Sequence, residues 1–293
     1  MFKIVCMPAY NEENLIFDLI KKIEPFVDKV VVCDDGSTDK TEQKARDAGA
    51  HVIRHKKNLG KGGAMKSLFN YAKNIDADIV ITMDGDGQFL PEEIPRIMKP
   101  VIEQKADVVL GYRFDDADDM PTYRKFGNKF LDKMTSLASE LPFRDTQGGF
   151  RAYSKKAIQL IQFSTNGFGV DSEIVVNASK QNLKIVEEKV TVIYNTGGKT
   201  STKTPLVHVS EVLKTILEMV AIYHPLKYLG IPGLFFMIIG ISVGLFVLIT
   251  FNDTRYFSIP FMLISIATTI LGLLLLLMSV VLFSISKSVN QKC

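Results

Sequence analysis

Residues 78–88 read DIVITMDGDGQ, a near-continuous apolar run that ends abruptly in two aspartates separated by glycine. A run of this length, rich in β-branched residues, predicts a strand buried on both faces. The same grammar recurs on either side of it. FKIVCMPA (2–9), KVVVCDD (29–35), HVIRH (51–55) and DVVLGYR (107–113) predict further strands. Helical spacing falls between them, in NLIFDLIKKIEPF (14–26), TDKTEQKARDAG (38–49), GGAMKSLFNYAKNI (62–75) and PEEIPRIMKPVIEQ (91–104). Strands alternating with helices predict an α/β fold, a mostly parallel, Rossmann-like sheet with helices on both faces.

The pattern changes beyond Arg113. FDDADDMP is an acidic loop, and YRKFGNKFLDKMTSLASEL (123–141) a long cation-rich helix. DTQGGFRAYS predicts a strand edge with a glycine break, VDSEIVVNASKQN a helix, and LKIVEEKVTVIYN a last strand before the loop TGGKTSTKT. In residues 205–224, Leu206, Val209, Val212, Leu213, Ile216, Leu217 and Val220 form one apolar helical stripe. That stripe suits a helix in the membrane interface or one packed on the preceding domain, and the sequence leaves both open. From Tyr228 to Ser286 the only charged residues are Asp253 and Arg255, in two apolar stretches at 226–251 and 258–286. A bilayer core takes about 20 apolar helical residues, so each can span. The expected organisation is therefore a catalytic domain over 1–204, an amphipathic juxtamembrane helix over 205–224 and a two-helix transmembrane anchor over 225–293.

Orientation follows from the basic residues. Lys203, Lys214 and Lys227 precede the first span, and Lys287 and Lys292 follow the second. The positive-inside rule places the catalytic domain and both termini in the cytoplasm, with two spans in the cell membrane. MFKIVCMPAYNEE turns polar too early for a signal peptide. Cys6 and Cys33 fall in predicted buried strands and Cys293 is the last residue, so no disulfide framework is expected. The net charge of +3 comes without a massed basic patch, which argues against a nucleic-acid partner.

Ligands of open α/β sheets bind beyond the carboxyl ends of the strands, and the polar signals fall there. Asp84, Asp86 and Gln88 offer hard oxygen donors suited to Mg2+ or Mn2+, and Gly85 and Gly87 let the backbone turn between them. An ordinary Asp-Gly turn is the plain alternative. Asp39 has the alternative of a helix cap. There is no GxGxxG after the first strand and no Walker loop, which lowers the dehydrogenase and NTPase readings. Asn58-Leu59-Gly60-Lys61-Gly62-Gly63 opens a helix and offers Lys61 to a nucleotide-sugar. His51, His55, His208 and His224 lack metal-ligand spacing and receive no catalytic role.

PAYNEE (8–13), VVCDDGSTD (31–39), NLGKGGAMKSL (58–68) and MDGDGQ (83–88), in this order, resemble family 2 glycosyltransferases of the GT-A fold. RKFGNKF (124–130) and DTQGGFRAYSKKA (145–157) resemble its polyprenyl-phosphate branch, the dolichyl-phosphate mannose and glucose synthases, and the match runs over about residues 1–220. The resemblance implies inverting transfer of one sugar from a nucleotide-sugar to dolichyl or polyprenyl phosphate. It places Pro8, Tyr10, Glu12 and Asp35 around the nucleoside. Asp84, Asp86 and Gln88 hold the metal against the diphosphate, with Lys199 and Lys203 closing over it. Arg113, Arg124 and Asn128 receive the lipid phosphate, and Asp86, Arg113 and Arg124 carry the chemistry. DTQGGF is similar to the glucose-synthase side, which uses UDP-sugars, so UDP-glucose or UDP-N-acetylglucosamine is preferred over GDP-mannose. The loop KTSTKTP is similar to archaeal members and favours dolichyl phosphate. No Trp is present, so the QxxRW motif of processive family members is absent. Membrane lipids are expected partners, and homo-oligomerisation stays open. Competing readings are a transferase acting on a lipid-linked sugar, a glycolipid or a protein, a nucleotidyltransferase, and an inactive membrane scaffold.

Overall fold

The computed structural model describes residues 1–112, 132, 136, 142–163, 169–193 and 225–290. The chain divides into two compact units, Met1–Val212 and Leu213–Cys293. The first is built on seven strands: β1 (Lys3–Ala9), β2 (Lys29–Asp34), β3 (His51–Arg54), β4 (Ile79–Thr82), β5 (Val108–Tyr112), β6 (Arg151–Ser154) and β7 (Ile185–Lys189). Their order across the sheet is β3-β2-β1-β4-β6-β5-β7. All neighbours run parallel except β6, which is antiparallel to both β4 and β5.

The apolar strand runs explain this sheet. Successive side chains point to opposite faces, and here both faces are covered. Val5, Met7, Val30, Val32, Ile79, Ile81 and Val109 belong to one buried cluster. Ile4, Cys6, Val31, Cys33, Val80, Val108 and Leu110 belong to the other. On the first face pack α1 (Ile16–Ile23), α2 (Thr41–Asp47) and α4 (Ile94–Ile102). On the second pack α3 (Lys61–Asn74), α5 (Lys155–Leu160) and α6 (Val170–Lys180). Cys6 and Cys33 are free and buried.

In DTQGGFRAYS the strand follows the glycines: Arg151–Ser154 lies between β4 and β5, with Ile81 and Val109 both opposite Ala152. The last strand is shorter than the apolar run, ending at Lys189, with Val192 making one further bridge to Phe89. The sequence reading also passed over α5, whose start is capped by Ser154 Oγ accepting from the Ala157 N–H.

The described part of the second unit holds two long helices, α7 (Ile231–Thr254) and α8 (Ile259–Asn290). Both are long and apolar enough to cross a membrane, and only 11% of each apolar window is buried. A core helix of a soluble domain would be covered far more completely. Glycine sets their close approach. A Cβ on Gly272 would stand 2.6 Å from the Gly233 carbonyl oxygen, and one on Gly240 would stand 2.9 Å from that of Ser265. Ser265 Oγ donates to the Gly240 carbonyl at 2.7 Å, an interhelical hydrogen bond that the missing side chain permits.

Gly272→Leu is therefore expected to force α7 and α8 apart and cost about 1–3 kcal/mol. A thermal melt of the purified protein in detergent checks this. Ile238→Leu, at an exposed position, should leave the midpoint unchanged.

Candidate active site

Parallel pairing sets the carboxyl ends of β1, β2 and β4 side by side, with Ala9 opposite Asp34 and Cys6 opposite Thr82. The loops that follow are stitched together. Asn11 takes φ +58°, a conformation Asn tolerates better than most residues. Its N–H donates to Ser37 Oγ at 2.9 Å, and its Oδ1 accepts from the Thr38 N–H at 2.9 Å. The next N–H, of Glu12, donates to Thr41 Oγ1 at 2.8 Å. Gly36, at φ +74°, lies so close to the third loop that a Cβ would stand 2.6 Å from the Lys57 carbonyl carbon.

Asp35 organises that third loop. It is 4% exposed, and its carboxylate accepts from the N–H groups of Leu59 at 2.9 Å and Gly60 at 2.8 Å. His55 Nδ1 stands 2.6 Å from Asp35 Oδ1, and His55 Nε2 stands 2.8 Å from Ser67 Oγ on α3. A buried carboxylate thus caps the start of α3, where helix N–H groups and the helix dipole favour negative charge. The first residue of α3 is Lys61. Its Nζ lies 3.0 Å from Asp84 Oδ1 and 2.9 Å from Asp171 Oδ2. Burial by itself lowers the lysine pKa, but the Asp171 and Asp84 carboxylates outweigh it and hold the ammonium above its ordinary range.

Asp84 follows β4 and is matched by a glycine across the sheet. A Cβ on Gly149 would collide with the Asp84 carboxylate, so any larger residue there must displace that carboxylate. Gly149 is held by Thr82 Oγ1, which donates to its carbonyl at 3.0 Å. Arg151, 1% exposed, staples the same segment to α6. It donates to the carbonyls of Gly148 at 2.9 Å, Thr146 at 2.6 Å and Asp171 at 2.9 Å. Asp86 Oδ1 accepts from the Gln88 N–H at 3.1 Å and closes the acidic turn, with Gly87 at φ +71°. The Gln88 carbonyl in turn accepts from Ile193 N–H at 2.9 Å.

Negative charge is crowded here. Glu12 is pushed up to about 7, first by burial and then by Asp86, Asp39 and Asp84. Among the described residues, no three His, Cys, Asp or Glu side chains converge as a ready-made metal cage. Mg2+ does not require one, because it takes one or two carboxylates and completes its shell with water and substrate phosphates. An oxygen-only donor set in a field of mutually repelling carboxylates fits such a hard cation. Asp84, Asp86 and Gln88 would hold it.

Residues 4–161, more than half of the chain, match the family described as Glycosyl transferase family 2. The chain belongs to this family. Among its relatives is the UDP-N-acetylglucosamine–dolichyl-phosphate N-acetylglucosaminyltransferase of Methanococcus voltae, 30% identical over 64% of this chain and 84% of that one. The dolichol-phosphate mannosyltransferase of Pyrococcus furiosus is 28% identical over 77% of this chain and 64% of its own length. Among solved structures, glucosyl-3-phosphoglycerate synthase from Mycobacterium tuberculosis, in complex with Mn2+, uridine diphosphate and glucosyl-3-phosphoglycerate, shares the fold. Its TM-score is 0.55 at 20% identity, over 75% of this chain and 78% of that one. The chain is a family 2 glycosyltransferase.

For a family 2 site, the structure brings Glu12, Lys61, Asp84 and Asp86 to one sheet edge. Pro8 is the last residue but one of β1, and its carbonyl oxygen would lie 3.2 Å from a Cβ on Gly85. Tyr10 is 45% exposed beside it. Arg113, Arg124, Asn128, Lys199 and Lys203 lie outside the described residues, as does the stripe at 205–224. Sequence reasoning missed His55, Gly149, Arg151 and Asp171. Gly149 and Arg151 stood inside DTQGGFRAYS, where the double glycine was the available signal. Asp171 lies in the first turn of the helix predicted over VDSEIVVNASKQN, where nothing in the sequence singles it out.

Gly149→Ala is expected to push the Asp84 carboxylate aside and lower sugar transfer by about 100-fold, the scale on which a displacement of about 1 Å acts. Steady-state kinetics, alongside an unchanged far-UV circular dichroism spectrum, checks it.

Proposed function

We propose that this enzyme transfers a single sugar from UDP-glucose or UDP-N-acetylglucosamine to dolichyl or another polyprenyl phosphate, with inversion, at a membrane surface. The observation that carries the reading is the acidic turn Asp84–Gln88, set beside the Lys61 ammonium, on a chain that also bears two bilayer-length helices. The named activity of the Methanococcus relative supports both donor and acceptor. GDP-mannose is the second reading, favoured by the name of the Pyrococcus relative. The domain limits 1–204, 205–224 and 225–293, two membrane spans and a cytoplasmic active site belong to the same proposal.

The chemistry follows from charge. Breaking the sugar–phosphate bond builds positive, oxocarbenium-like charge on the sugar and negative charge on the departing diphosphate. A divalent ion held by Asp84, Asp86 and Gln88 supplies Lewis-acid stabilisation of that leaving group. Lys61 adds positive charge beside it, and Lys199 and Lys203, in TGGKTSTKT, add more. Pro8, Tyr10, Glu12 and Asp35 shape the nucleoside end. The acceptor is a phosphate monoester with a second pKa of about 6, already largely dianionic at neutral pH and in little need of a base. Arg113, Arg124 and Asn128 orient it, the arginines through charge-assisted, bidentate hydrogen bonds. A lipid phosphate lies at the bilayer surface, so tethering the catalytic unit to the membrane replaces a search in solution with one along a plane.

The test is a transfer assay on purified full chain with dolichyl phosphate, Mg2+ or Mn2+, and a panel of UDP- and GDP-sugars labelled in the sugar. Label entering lipid from one UDP-sugar, and lost with EDTA, is the expected result. Transfer from GDP-mannose alone would establish the second reading, and transfer only to a lipid-linked sugar would overturn the acceptor. Asp86→Ala should reduce transfer by about 100–1,000-fold with the fold intact. Arg124→Ala should raise KM for the lipid phosphate about tenfold or more while leaving the donor KM within about twofold.

A further inference from the structure

The Lys61 ammonium is shared by two carboxylates of unequal freedom. Asp84 is 27% exposed at its side chain and opens on the site, whereas Asp171 on α6 is 6% exposed. Asp171 is also fixed from behind. Its carbonyl accepts from Arg151 Nη1 at 2.9 Å, and Arg151 Nη2 lies 3.7 Å from its Oδ1. Asp84 is confined on one flank by Gly149. Both of its oxygens face the same ammonium, Oδ1 at 3.0 Å and Oδ2 at 3.2 Å. A divalent ion approaching Asp84 therefore meets a carboxylate whose two oxygens are already engaged by a cation of this chain. An ion that binds either oxygen comes close to the Lys61 ammonium, and two cations on one carboxylate repel each other strongly. Lys61 has somewhere to go. Asp171 stands 2.9 Å away on its other side and is too buried to serve the ion directly.

We propose that Lys61 is a tethered internal cation that competes with the divalent ion for Asp84, and that Asp171 is the positioning residue that draws Lys61 away and keeps its charge in the site. The inference rests on the reading of Asp84 as a metal carboxylate. In the ligand-free enzyme the lysine neutralises Asp84. When the ion arrives, Lys61 retreats to Asp171 and stays beside the ion. There it faces the donor diphosphate with the charge that the leaving group needs. Ion and diphosphate binding then support each other, because anionic phosphate attracts the lysine that the ion has to displace.

The test is a titration of the full chain in detergent with Mn2+ alone, following free Mn2+ by its electron paramagnetic resonance signal. Lys61→Met removes the competitor and should bind Mn2+ roughly tenfold more tightly than the unaltered enzyme. Asp171→Asn leaves Lys61 with Asp84 as its one carboxylate among the described residues and should bind Mn2+ several-fold more weakly. The double variant Lys61→Met/Asp171→Asn should keep most of the gain. Opposite signs from two changes at one ion pair are not what structural damage produces, since damage weakens both. Lys61→Gln repeats the first measurement with a polar side chain, and thermal melts verify folding. If Asp171→Asn does not fold, the two Lys61 variants still decide the sign. Unchanged or weaker Mn2+ binding in folded Lys61 variants overturns the competition. So does a gain that disappears in the double variant, because it would then come from an unmasked Asp171. Asp84→Asn separates the two levels of failure. Mn2+ binding that survives there overturns the metal assignment itself. Binding lost there but indifferent to Lys61 overturns only the inference.

Discussion

Strand β6 runs against its two neighbours, and that reversal places a residue without a side chain opposite Asp84. A parallel strand in the same slot would enter from the other end and carry the segment Thr146–Gly149 away from the acidic turn. Because β6 is antiparallel, the chain arrives at the catalytic edge first, passes Gly148 and Gly149, and only then joins the sheet at Arg151. Arg151 then makes the arrangement rigid. Three carbonyl acceptors from two segments satisfy a guanidinium that is almost wholly buried, which is the condition for tolerating such a charge in a core. One of those carbonyls belongs to Asp171, so the same arginine that fixes the glycine turn also fixes the partner of Lys61.

The parts of the fold that were legible in the sequence are those with a local cause. Buried parallel strands need apolar residues on both sides, and IVCM, VVVC, IVIT and VVL announce themselves as such. The acidic turn was legible for the same reason, since two aspartates and two glycines after a buried run have little structural purpose in a strand. What could not be read is pairwise. Nothing in VDSEI distinguishes Asp171 from a helix-starting acid until α6 is laid against α3. Nothing in HVIRH indicates that His55 will reach Asp35 and Ser67. The direction of β6 was equally hidden: its length and apolar content suit either orientation, and its place between β4 and β5 depends on contacts made far along the chain.

The two units solve opposite solvation problems. In Met1–Val212 the strands and helices hide apolar atoms from water, and charged groups that become buried are matched with partners. In the helices α7 and α8 most apolar side chains stay outside, and the closest approaches between the helices centre on glycine, with serine and threonine beside them. Burying leucine against leucine gains little when the surroundings are themselves hydrocarbon, so close backbone approach and hydrogen bonds such as Ser265 to Gly240 hold the pair.

The position of β6 also bears on the order in which the protein matures. Strands β1 to β3 are neighbours in sequence and in space, so their contacts close short loops. The Thr82–Gly149 hydrogen bond closes a span of 67 residues, and the entropy of closure rises with loop length. Folding rates fall as contacts become less local. The β1 to β3 part of the sheet is thus assembled from local contacts, whereas the acidic turn is supported by a distant segment lying between β4 and β5. Support for Asp84 therefore rests on segments far away in sequence, β6 on one side and β1 on the other.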